Sequence, residues 1–125
     1  MPNLRERLAP LVGSCWRVAL VTTPLADILA GESLHFVPIE APEKGVWYGD
    51  PFILDVSPSE ITLLVEAYVE RKLQGHIERL PIARTTGQVL EAKTVLSLPT
   101  HLSFPEIVRR DGEIFIHPEN IASGE

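Results

Sequence analysis

The stretch from Ser57 to Gly75 constrains the fold of this chain more than any other. Ser57-Pro58-Ser59-Glu60 has the composition of a helix start: a serine that can accept from a nearby backbone N–H, a proline suited to the first helical position, and a glutamate that can reach back. Ile61, Leu64, Val65, Tyr68, Val69 and Leu73 recur at helical spacing, while Glu66, Glu70, Arg71 and Gln74 fall off that stripe and Gly75 supplies a stop. The pattern predicts a long helix over 58–74 with one face buried against a sheet.

The rest of the chain reads mainly as strands. From Cys15 to Thr22 apolar residues occupy both faces, as in an inner strand. Segments 34–39 and 46–56 are strand-like but interrupted by Pro38, Pro42, Gly45, Gly49 and Pro51, which demands edge positions or bulges. Segments 76–84 and 88–98 flank Thr85-Thr86-Gly87, a hairpin connection with glycine at the left-handed position. Asp111-Gly112 signals another hairpin, pairing Arg110 with Glu113 and Val108 with Phe115. Ser103-Phe104-Pro105-Glu106 also fits a helix start, and the Ser-x-x-Glu box tips 103–110 slightly toward helix.

Short helices are expected over 4–12, behind the Asn3 capping box, and after Thr23-Pro24 up to Gly31. The resulting expectation is a single α+β domain spanning 1–125: a mostly antiparallel sheet covered on one face by the long helix, with one or two short helices. Its last few residues, Ala122 to Glu125, are expected to fray.

Seventeen acidic against eleven basic side chains give a formal charge of −6, which disfavours nucleic acid and anionic membranes as partners. Arg109-Arg110, flanked by Asp111 and Glu113, does not make a basic stripe. Cys15 is the single cysteine, so no intrachain disulfide can form, and a reducing, cytoplasmic setting is the expectation. No apolar run approaches the roughly 20 residues of a membrane-spanning helix. The N-terminus, broken by Pro10 and Gly13, does not read as a signal peptide.

No catalytic residue set, metal site or cofactor is expected. His35, His76, His101 and His117 are scattered singly, and the phosphate-binding glycine patterns do not occur. Asp50 and Asp55 would form a carboxylate pair only if a bulge brought them to one face. The richest segment is Gly45-Val46-Trp47-Tyr48-Gly49-Asp50-Pro51-Phe52, which concentrates amphipathic aromatic rings beside glycines. The same rings could simply close one end of the core, which is the favoured reading of the segment; if it binds, Trp47, Tyr48, Asp50, Phe52 and His35 are the candidate binding residues.

Two functions follow as expectations. The first is a protein-interaction or assembly module without catalytic activity, engaging a protein partner or a second copy of itself through edge strands and the aromatic segment. The alternative is a small-ligand-binding protein or enzyme, with a pocket between the long helix and the sheet lined by Trp16, Tyr68 and a histidine.

Overall fold

The computed structural model describes residues 16–120. Its elements in chain order are β1 (Val18–Val21), α1 (Leu25–Leu29), β2 (Phe36–Ile39), β3 (Val46–Val56), β4 (Glu60–Val69), β5 (Gln74–Ala83), β6 (Lys93–Leu96), β7 (Ser103–Arg110) and β8 (Glu113–Glu119), with a 3-10 turn at Glu70–Lys72. All strand pairings are antiparallel. They form a four-stranded sheet in the order β3-β4-β5-β6 and two ribbons, β1-β2 and β7-β8.

This architecture corrects the α+β expectation. Residues 58–74 form no long helix; they supply a turn, the central strand β4 and the 3-10 turn. The reason lies in β4 being covered on both faces. Ile61, Leu63, Val65 and Ala67 pack into a core shared with Val18 and Ile39 of the β1-β2 ribbon. Leu64, on the alternate face, enters a second core with Ile77, Leu102 and the flanking Ile107 and Ile116 of the β7-β8 ribbon. A strand buried on both sides needs a nearly continuous apolar run, and such a run satisfies helical spacing as readily as strand spacing. The β-branched and aromatic residues Ile61, Thr62, Val65, Tyr68 and Val69 decide for the strand.

The Ser57 signal is genuine but closes a hairpin. Its N–H donates to the Glu60 carbonyl (2.8 Å), and its Oγ accepts from the Glu60 N–H (3.0 Å). Pro58 stands inside that turn, where its fixed φ suits the reversal of the chain. Ser57→Ala should therefore lower stability by about 1 kcal/mol, measured by urea unfolding, because the Glu60 N–H loses its side-chain acceptor.

Several local expectations match the structure. Gly87 adopts φ +67° in the β5-β6 connection, and its N–H donates to the Ala83 carbonyl (2.8 Å). Arg110 pairs with Glu113 and Val108 with Phe115, so 103–110 is a hairpin strand and the lean toward a helix there is overturned. Leu25–Leu29 is a short helix ending before Gly31 at φ +90°. Thr23, however, does not cap it: its hydroxyl donates to the Ser33 carbonyl and accepts from the His35 N–H (2.7 Å). The expected first helix over 4–12, Cys15, and the expected frayed tail lie outside the described residues.

Candidate functional site

Strand alternation divides the aromatic segment of β3. Trp47 and Gly49 share one face with Tyr68 and Glu66, to which they are paired across β3 and β4. Tyr48 points the other way and is buried in the first core. There its hydroxyl meets Glu78 (3.2 Å), which also contacts His76 Nε2 (2.9 Å). Burial, and secondarily the Glu78 carboxylate, raise the Tyr48 hydroxyl far above its ordinary value of 10.0 and keep it a neutral donor.

An irregularity in β3 then brings a carboxylate to the Trp47 face. Gly49 pairs with Glu66, but pairing resumes at Phe52 with Leu64, leaving Asp50 and Pro51 opposite the single residue Val65. Asp50 takes φ +46°, a left-handed conformation that aspartate tolerates better than most residues. Such a bulge re-aims a side chain that regular alternation would send to the opposite face. Asp50 accepts the Phe104 N–H (3.2 Å) and comes within hydrogen-bonding contact of Glu66.

Glu66 is only 6% exposed, which is exceptional for a carboxylate on an apolar strand. Burial first, then the Asp50 charge and hydrogen bond, push its carboxyl from an ordinary 4.5 up to about 7. On its other side His101 Nε2 lies 3.3 Å from Glu66 Oε1. The Gly75 N–H donates to His101 Nδ1 (2.9 Å), so the ring presents its proton to Glu66 from Nε2.

Aromatic walls surround these three groups. Trp47 and Tyr68 stack with centroids 4.5 Å apart, and Tyr68 meets the His101 ring edge-on at 5.9 Å. Trp16, just before β1, lies over Gly49: a Cβ there would be 3.9 Å from Trp16 Cβ and 3.3 Å from Glu66 Oε2. The open cleft lined by Trp16, Trp47, Tyr68, Asp50, Glu66 and His101 has a volume of about 390 Å3, within the range of small-ligand sites. No group of three or more His, Cys, Asp or Glu side chains among the described residues is placed to hold a metal ion.

The structure thus brings together Trp47 and Asp50 of the candidate residues and separates the others. Tyr48 lies in the first core; Phe52, half-buried, packs against the second and meets Phe104 edge-on at 4.9 Å. His35, immediately before β2, borders a separate depression with Thr22, Asp27 and Glu32. Asp55 is not part of the carboxylate pair; Glu66 takes that place. Trp16, Tyr68 and a histidine do line a pocket, but β3, β4 and residues 101–103 build it, since there is no long helix for it to lie beneath. Helical spacing places Glu66 off the apolar stripe, which hides its burial in β4. Its signal was available in another form: it is the single charged residue in the run Ile61 to Val69.

Comparison with protein-family models, with curated proteins and with solved structures finds no match in any of the three. No helix among the described residues is long and apolar enough to cross a membrane.

Proposed function

We propose that the cleft is a binding site for a small organic cation carrying an alkylammonium group. The observation that carries this reading is the carboxyl pair of buried Glu66 and exposed Asp50 in a cleft lined by Trp16, Trp47 and Tyr68. Two carboxyl groups in contact, one of them buried, disfavour ionising together, and a cation placed between or above them removes that penalty. Electron-rich ring faces attract the same cation, and their apolar area suits its alkyl substituents. The chain's negative formal charge favours the approach of such a ligand.

The interaction-module reading drew its motive from Trp47, Tyr48 and Phe52 forming one surface. With Tyr48 only 2% exposed and Phe52 half-buried against the second core, the three rings form no single surface, which supports the pocket reading; the edge-strand motive is independent of them.

Hexylammonium and hexanol provide the test, the alcohol having the same alkyl chain and no charge. Hexylammonium should shift the backbone amide resonances of Gly49, Gly75 and His101 saturably at pH 8, whereas hexanol should not. Trp47→Ala should weaken the amine about tenfold by removing one ring face. Equal binding of amine and alcohol would contradict the proposal.

A further inference from the structure

The cross-strand ladder around the cleft carries a pattern that a single ammonium group does not use. Trp47 pairs with Tyr68, and Gly49 with Glu66. Beyond the last strand pair, Val46 with Val69, the Glu70 N–H donates to the Gly45 carbonyl (3.0 Å), which continues the ladder by one step. Residues 47 and 49 share one face of β3, as 66 and 68 do along β4, while Gly45, at φ +78°, and Glu70, in the 3-10 turn, lie just past the strand ends. Each carboxylate lies over a glycine: a Cβ at Gly49 would be 3.3 Å from Glu66 Oε2, and one at Gly45 would be 3.7 Å from Glu70 Oε2. The sequence of groups along this stretch is therefore carboxylate, stacked Trp47–Tyr68 pair, carboxylate.

Two depressions flank this ridge. A second depression of about 540 Å3 runs around the edge of β3 past Gly45 and Glu70, and it shares Trp16 and Trp47 with the first cleft. Its charged lining is Glu40, Glu43 and Glu70 against Arg17 and Lys44, and Glu43 is also met by Arg71 at 3.9 Å. Three carboxylates therefore meet three cations at this end, with Glu43 the one that Arg71 approaches. Four residues of extended chain separate Gly45 from Gly49, roughly 13 Å at strand rise.

We infer that the ligand is a linear diamine or longer polyamine, with one ammonium group at Glu66 and Asp50, its alkyl chain along the Trp47–Tyr68 pair, and a second ammonium group at Glu70. The inference rests on the alkylammonium reading and adds the second anchor and the length. A ligand too short to reach Glu70 gains nothing from that carboxylate, whereas one that reaches gains a charge-assisted contact whose partner is already tethered.

Calorimetric titration of diaminobutane, diaminooctane and diaminodecane, each against the amino alcohol of the same chain length, reads the second anchor directly. The amino alcohols should bind with similar affinities to one another. Diaminobutane should show no advantage over its amino alcohol beyond the statistical factor of two equivalent ends, while diaminodecane should bind about fivefold tighter than its own. Glu70→Gln, at an exposed position, should abolish that advantage and leave amino alcohol binding unchanged. Amino alcohols that bind while diaminodecane gains nothing would overturn the second anchor alone, as would an advantage that survives Glu70→Gln. If neither series binds, the alkylammonium reading falls with it.

Discussion

Replacing Gly75 with alanine should lower the stability of the folded chain by about 3 kcal/mol, one of the largest effects expected of a single added methyl group. A Cβ at this position would lie 2.5 Å from the Leu102 carbonyl oxygen, 2.7 Å from Glu66 Oε1 and 3.0 Å from Glu66 Cγ. The Leu102 oxygen belongs to backbone and cannot turn aside. The segment it belongs to is fixed to Gly75 from both directions: the Leu102 N–H donates to the Gly75 carbonyl (3.0 Å), and the Gly75 N–H donates to His101 (2.9 Å). Relieving the overlap means lifting residues 101–102 from β5, which withdraws the fully buried Leu102 side chain from the second core. It also removes His101 from Glu66, so any residual fold should have lost amine binding. Urea unfolding measures the first effect. A loss below about 0.5 kcal/mol would show that the Gly75–Leu102 approach is not a fixed feature of the fold.

The second large effect is a dependence of stability on pH that resides in Glu66. Its carboxyl titrates at about 7 in the folded chain against an ordinary 4.5, so between those values the folded state holds a proton that the unfolded state has released. Stability from this group is fully present below about 4.5, falls as pH rises toward 7, and is lost above the folded value. The groups facing Glu66 are Asp50 from β3 and His101 from the segment before β7. The loss should reach about 2 to 3 kcal/mol. Glu66→Gln has nearly the same shape and no ionisation, and its amide can still accept from His101 and donate to Asp50. Parent and variant should therefore have similar stabilities near pH 4.5, with the variant the more stable by pH 8. Stability differences that stay constant across that range would contradict the assignment.

How far the sequence disclosed this fold depends on which physical signal each segment carries. Turns were legible because their chemistry is local. Gly87 and Asp111-Gly112 act within a few residues of themselves, and each closes a reversal of the chain; Ser57 is as local, but its Ser-Pro-x-Glu pattern fits a helix start as well as the turn it makes. The state of residues 60–69 was not legible, because it depends on two layers contributed from distant parts of the chain. Val18 and Ile39 cover one face of β4 and Leu102 the other, and only that double covering turns the apolar run into a central strand.

The candidate site was legible in part for the same reason. Trp47 and Asp50 were visible as members of an aromatic, glycine-rich segment, and the bulge at Asp50 was foreseeable from Pro51 and Gly49. Glu66 and His101 were not, since 35 positions of chain separate residues that end 3.3 Å apart. Once β4 is read with a period of two, Glu66 falls on the face of Tyr68 and opposite Gly49, and the site assembles around it.

The most direct measurement is the carboxyl carbon resonance of Glu66, followed by NMR against pH with and without a saturating alkylammonium ligand. Without ligand its midpoint should lie at about 7. With hexylammonium bound, the adjacent positive charge should draw the midpoint down by at least one unit, and amine affinity should rise about tenfold per pH unit up to the free midpoint and level off above it. A Glu66 midpoint that the amine leaves in place, at a concentration where hexylammonium is shown to be bound, would contradict the assignment of this carboxyl pair as the cation site.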